Sequence, residues 1–126
     1  MQLEQIFVAL AEPATGESLV QFYQALFEQE PVIWRPGIYA EFALPGLKLG
    51  IFQPQAKHQA EFQGQAGSIS LCLELRPLEA AIERLSQLGY APPSSILSTS
   101  HGREIYAYDP AGNRLILHER PANPVH

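Results

Sequence analysis

The sequence predicts an α+β fold built from two βαβββ modules in tandem, within one domain of 126 residues. Three observations carry this. The stretch GIYAEFALPGLKLGIFQP (37–54) reads as an earlier copy of EIYAYDPAGNRLILHE (104–119). Each copy is preceded by a segment of helical period, and each of those by a short apolar segment. The order strand, helix, strand, strand, strand therefore occurs twice, the signature of an internal duplication.

The first module spans 1–53. Leu3 to Leu10, rich in Ile, Phe and Val, reads as its first strand and not as a signal peptide, since it lacks a basic leader and Glu4 and Glu12 interrupt it. Pro13 and Gly16 break the chain after this strand. Leu19, Phe22, Tyr23, Leu26 and Phe27 then recur at helical spacing along one apolar face, with Pro31 as the stop. Val32 to Trp34, Ile38 to Leu44 and Leu47 to Phe52 are three strands, the last two joined by a turn at Pro45-Gly46.

Residues 54–66 form a linker. The stretch QPQAKHQAEFQGQAG (53–67) has no hydrophobic period and several turn formers, so it reads as a surface separator or a mobile flap. The second module, 67–120, begins with Ser68 to Leu75, where Ser68, Ser70 and Cys72 alternate with Ile69, Leu71 and Leu73. Pro77 opens a helix whose apolar face is Leu78, Ala81, Ile82, Leu85 and Leu88, and Gly89 closes it. Ser94 to Ser98, Arg103 to Tyr108 and Arg114 to Glu119 are the remaining strands, with DPAGN as the hairpin turn. Residues 121–126 are a C-terminal tail. The copies align Ile38-Tyr39-Ala40 with Ile105-Tyr106-Ala107 at an offset of 67 (105 − 38), and Lys48 to Phe52 with Arg114 to His118 at an offset of 66 (114 − 48).

Composition narrows the function. Hydrophobic residues at 46% against 17% charged supply a core. A net charge of −5 repels a phosphate backbone, so nucleic acid is not an expected partner. No apolar run is long enough for a membrane helix. A single cysteine, Cys72, rules out an internal disulfide and fits a cytoplasmic location. Mid-strand between Leu71 and Leu73, it reads as a buried, inert thiol. There is no phosphate-binding glycine loop, CxxC pair, Ser-His-Asp spacing or basic patch.

Two strand-helix-three-strand modules ending in DPAGNRLILHE resemble the vicinal oxygen chelate superfamily, which includes glyoxalase I, extradiol dioxygenases, and fosfomycin- and bleomycin-resistance proteins. The resemblance covers nearly the whole chain. It implies a pseudo-twofold pair of modules curled into a cup, helices outside, with a small-molecule ligand inside and often a homodimer. It also implies a divalent metal held by His, Glu or Gln side chains on the first and last strands of each module. Those positions fall on Gln5, Gly50, Ser68 and Ile116. Glycine and isoleucine offer no donor there and serine only a weak one, so the expected cofactor is none and no metal ligand is assigned.

Strand parity puts Gln5, Phe7, Lys48, Phe52, Ser68, Ser70, Arg114, Ile116 and His118 on the ligand-facing side, together with Ala9, Gly50 and Cys72. Lys48 and Arg114 are symmetry partners that together suit an anion or, near the turns, solvent. His118 is the one candidate for acid–base work, whereas His58, His101 and His126 read as surface. Tyr39 and Tyr106 are matched partners that either stack on a ligand or pack, and Trp34 with Arg35 is an exposed pair. The first functional reading is a metal-free binder of a small organic molecule. A second is a metal-dependent glyoxalase-like lyase or isomerase using Gln5, His118 and Glu119. A third is a structural or regulatory dimer without a ligand.

Overall fold

A computed structural model of the chain describes residues 1–14, 18–64 and 67–122. Gly16, part of the linker (65–66) and the end of the tail with His126 lie outside the described residues. The chain divides into two compact units, 1–64 and 65–126.

The first unit runs β1 (Val8–Ala11), α1 (Leu19–Phe27), β2 (Ile33–Arg35), β3 (Tyr39–Leu44) and β4 (Leu47–Phe52). The second runs β5 (Leu71–Glu74), α2 (Leu78–Gln87), β6 (Leu97–Thr99), β7 (Gly102–Tyr108) and β8 (Arg114–Glu119). Both sheets have the same mixed topology, β1-β4-β3-β2 and β5-β8-β7-β6, with the first strand parallel to the last. The two tandem βαβββ modules are therefore present in full.

Each sheet buries one face beneath its helix. Ala40, Phe42, Leu49 and Ile51 form the buried face of the first sheet, against Leu19, Val20, Phe22 and Tyr23 of α1. The Phe27 ring meets Phe42 edge-on at 6.2 Å. Ile105, Ala107, Leu115 and Leu117 do the same in the second unit, against Leu78 and Leu85 of α2. The period-two alternation of the strands thus decides which side chains are left on the opposite, helix-free face.

The helices differ in detail from expectation. α1 stops at Phe27, four residues before Pro31, because Glu28 turns left-handed (φ 52°) and its N–H returns to the Gln24 carbonyl. Its start carries the Ser18 hydroxyl, which accepts from Gln21 N at 3.1 Å, and the Glu12 carboxylate, which accepts from Leu19 N at 3.1 Å and Val20 N at 3.3 Å. α2 follows Pro77, which offers no capping side chain, and a strand supplies the cap: Glu119 of β8 accepts from Leu78 N at 2.9 Å. Arg103 of β7 holds the other Glu119 oxygen at 2.7 Å and grips Glu79, in the first turn of α2, through two nitrogens at 2.5 and 2.9 Å. A carboxylate at each helix start suits both the free N–H groups and the helix dipole.

The strand limits also differ. The first strand begins at Val8 and β5 at Leu71, so Gln5, Phe7, Ser68 and Ser70 precede their strands. The linker contains a 3-10 helix over Ala56–Phe62 that belongs to the first unit; its Phe62 ring meets Phe52 edge-on at 5.0 Å. That aromatic contact supplies the order that a hydrophobic period does not announce. In the DPAGN turn, buried Asp109 accepts from Ala111 N and Asn113 N, both at 2.9 Å, so a five-residue loop replaces the two-residue turn of the first unit.

The Arg103 cluster makes the second unit acid-sensitive. Hydrogen bonds from Arg103 lower both carboxyls, Glu79 to about 2 and Glu119 below its ordinary range. Groups depressed in the folded state stabilise it fully above the unfolded carboxyl pKa of about 4.5 and lose that contribution as pH falls through the folded values. Melting temperature is expected to decline on acidification from about pH 4.5 toward 2. Arg103→Met should melt lower at neutral pH and show a shallower acid decline; parallel pH profiles for the two proteins would contradict this assignment.

Candidate functional site

The helix-free face of the first sheet is set out in rows by its register. Arg35, Tyr39 and Phe52 lie across one row, Ile33, Glu41, Gly50 and Ala9 across the next, and Ala43 with Lys48 across a third. The Tyr39 ring lies over Gly50: a Cβ built on that glycine would sit 2.8 Å from the Tyr39 hydroxyl oxygen and 3.1 Å from the ring. The hydroxyl donates to Glu41 Oε1 at 2.9 Å. Lys48 Nζ lies 3.7 Å from Glu41 Oε2 and 5.3 Å from the centre of the Phe7 ring. Burial and the neighbouring carboxylate raise the Tyr39 pKa, so its phenol stays protonated at neutral pH. Past Phe52 a cavity of about 370 Å³ is lined by Phe52, Gln53, Pro54, Gln55, His58, Glu61 and Phe62. Exposed Trp34 borders a separate cleft of about 240 Å³ with Glu12, Ile38 and Gln53.

The second sheet has the corresponding rows Glu74–His118–Glu104, Cys72–Ile116–Tyr106 and Arg114–Tyr108. His118 is half-buried, with Nδ1 2.7 Å from Glu74 Oε1, while the Arg120 backbone N–H donates to Glu74 Oε2 at 3.0 Å. Arg114 Nε donates to Ser70 Oγ at 2.7 Å, and a second guanidinium nitrogen donates to the Gly67 carbonyl. Arg114 is therefore fixed to the segment before β5 and not directed along β8 toward His118. Cys72 is exposed, because it lies on the face away from α2.

The duplication is less regular than an offset of 67 suggests. With Gly50 and Ile116 equivalent (116 − 50 = 66), their partners Glu41 and Tyr106 are equivalent too (106 − 41 = 65). Tyr39 then corresponds to Glu104, so the two tyrosines are displaced by one pleat. The longer DPAGN loop absorbs the difference.

The same registers test whether the side chains fit a metal. Continued back three residues, Val8 opposite Leu49 places Gln5 beside the turn at Gly46, and Leu71 opposite Leu115 places Ser68 beside the turn at Gly112. The residues beside Gly50 and Ile116 are instead Ala9 and Cys72. Gln5 and Ser68 are four positions from those rows, about 13 Å along a strand. The room beside Gly50 is filled by the Tyr39 phenol. His118 and Glu119 leave opposite faces of β8, and Glu119 is spent on α2 and Arg103. Among the described residues no three His, Cys, Asp or Glu side chains gather as metal ligands. Within either unit, the described donors do not assemble as a site for a divalent cation. Glu41 and Glu74 carry no sequence motif, and only the alternation along β3 and β5 could have pointed to them; Tyr39 stands in the repeated Ile-Tyr-Ala.

No protein-family model matches the chain, and no curated protein matches it significantly. Solved structures do. A glyoxalase-related enzyme from Fulvimarina pelagi is 23% identical with a TM-score of 0.74, over 98% of this chain and 94% of that one. The fosfomycin resistance protein FosX from Listeria monocytogenes is 18% identical with a TM-score of 0.72, over 97% and 94%; FosX has also been crystallised with Mn(II) and sulfate. A glyoxalase/bleomycin resistance protein from Catenulispora acidiphila is 23% identical with a TM-score of 0.65, over 92% and 97%. These are vicinal oxygen chelate proteins, and this chain has their fold. Among its described residues no helix is long and apolar enough to cross a membrane.

A side chain at Gly50 should cost stability to the extent that the Tyr39 ring must move. Gly50→Ala displaces the Tyr39 ring and is expected to destabilise the chain by about 1–3 kcal/mol. Removing the hydroxyl in Gly50→Ala/Tyr39→Phe should recover part of that loss. A double-mutant cycle from denaturant unfolding measures the coupling, and strict additivity would mean that the two residues do not share this space.

Proposed function

We propose that this chain binds a small organic molecule in the cup expected of paired βαβββ modules, without the divalent metal of glyoxalase-type enzymes. The observation that carries the reading is the Gly50 seat. At a position that the family resemblance assigns to a metal donor, the space beside the backbone is taken by the Tyr39 phenol, which would have to swing aside for any side chain to enter. Ile116, its counterpart in the second sheet, is hydrocarbon. Around Gly50 lie the ordinary parts of a small-molecule site, namely aromatic rings, a few fixed polar groups and, past Phe52, a cavity of suitable size. Of the residues first read from the sequence, Phe7, Lys48 and Phe52 contribute on the first unit, and Ser70, Arg114, Ile116 and His118 on the second. His118, with Nδ1 held by Glu74 and Nε2 left for a ligand, is the contact best suited to exchange a proton.

We also propose a homodimer, on the strength of the fold resemblance; sedimentation should then show a species of twice the 14.0 kDa chain mass.

The test is elemental analysis of protein purified without chelator, followed by thermal shift with Mn²⁺, Ni²⁺, Zn²⁺ and Fe²⁺. No stoichiometric metal and no stabilisation are expected. A bound metal at one per chain, or a shift abolished by His118→Ala, would overturn the metal-free reading and direct the work to isomerase and lyase assays.

A further inference from the structure

The helix-free face of the first sheet carries three ionisable strand residues, Arg35, Glu41 and Lys48, with a formal sum of +1. This is opposite in sign to the chain as a whole, at −5. Lys48 and Glu41 are not equally available. The Glu41 side chain is 15% exposed and spends one oxygen on the Tyr39 hydroxyl, whereas the Lys48 side chain is 31% exposed. At 3.7 Å the Lys48–Glu41 approach is an ion pair too long for a hydrogen bond. Glu41 therefore holds the ammonium in place without using its donors, and the Phe7 ring supports it from one side. What this face offers an incoming molecule first is an oriented cation.

The rest of the face is aromatic. From Lys48 along β4 come the Tyr39 ring seated on Gly50, then Phe52, then Phe62 edge-on to Phe52 over the 370 Å³ cavity. Lys48 and Phe52 are four strand positions apart, about 13 Å. The cavity itself is lined by an acidic residue, Glu61, which disfavours an anionic head there, whereas Lys48 attracts one; Arg35 lies at the β2 edge of the Phe52 row.

We infer that this face is a site for an amphipathic organic acid, its carboxylate on Lys48 and its apolar, ring-bearing body along Tyr39 and Phe52 into the Phe62 cavity. The inference rests on the proposed small-molecule binding and names its ligand class. It assigns to Lys48 the charge that a metal carries in related enzymes, and to Gly50 the space that lets the phenol form the floor. Tyr39 cannot replace Lys48 as the donor, since its proton is committed to Glu41. The long-range field of an acidic chain opposes an anion only weakly at physiological salt, where screening acts within about 8 Å.

The experiment uses three probes of one length and different charge: 4-phenylbutanoate, 4-phenylbutan-1-ol and 4-phenylbutylammonium, titrated into the full chain and followed by NMR shifts of Lys48, Tyr39 and Phe52. The acid is expected to bind at least about tenfold more tightly than the alcohol, and the ammonium most weakly; a tenfold ratio is within what one charge-assisted hydrogen bond supplies. Lys48→Met should remove the preference for the acid and leave alcohol binding in place. Lys48→Arg should keep it, which separates lost charge from lost fold, and Glu41→Gln should tighten acid binding. Equal affinity for acid and alcohol, or a preference that survives Lys48→Met, overturns the organic-acid inference and leaves the binding reading standing. Failure of all three probes to bind at millimolar concentration overturns the site itself, and the small-molecule reading with it.

Discussion

Each sheet in this chain has one helix to cover it, and strand geometry permits only one set of side chains to lie beneath that helix. Leu49 and Ile51 are committed to the core by that rule, and so Lys48, Gly50 and Phe52 are committed to the other face. The same holds for Leu115 and Leu117 against Arg114, Ile116 and His118. A one-residue slip would bury a lysine in the first ladder, or an arginine and a histidine in the second, and in each case would expose two core side chains of the last strand. Everything on the helix-free faces, including the Tyr39 seat and the His118–Glu74 contact, depends on that register being held.

The register is held at the ends as well as in the core. Glu12 lies just past β1 and Glu119 closes β8, and both carboxylates accept from the free N–H groups that start a helix. In the second unit, Arg103 extends this into a connection among β7, β8 and α2. The consequence for function is indirect but firm. Because Glu119 is bound on the helix side, His118 is the β8 neighbour left for the opposite face, and the adjacent pair cannot serve one metal.

Much of this was legible in the sequence. The duplicated hairpins gave away the module order, and parity along β4 and β8 put Lys48, Gly50, Phe52, Arg114, Ile116 and His118 on one side correctly. The first strands were harder. MQLEQIF has strand composition, but Gln5 lies level with the Gly46 turn, where β4 has no ladder left to pair with; composition reports what a segment could do, not whether a partner reaches it. The end of α1 depended on a left-handed Glu28, a residue type with no strong preference for that conformation. The order in 56–62 comes from an aromatic contact across the chain, Phe62 on Phe52, which periodicity within the segment cannot reveal. Tyr39 and Tyr106 share an Ile-Tyr-Ala triplet, but the turns that follow differ in length, so the ladders set them two residues apart.

Gly50 shows where a sequence comparison and a physical reading part company. Set against the ligand pattern that the family resemblance implies, it is only a missing donor, which says nothing about what occupies the space. In the structure it is an occupied position: the Tyr39 ring fills the volume a side chain would need, and its hydroxyl fixes Glu41, which in turn orients Lys48. Ile116, its counterpart, has no such arrangement, and beside it lie Cys72 and Tyr106. The two modules have therefore diverged in different directions from a common plan. One has an aromatic floor with an oriented ammonium at its edge; the other is apolar in the middle, with a histidine held at one end and an arginine at the other.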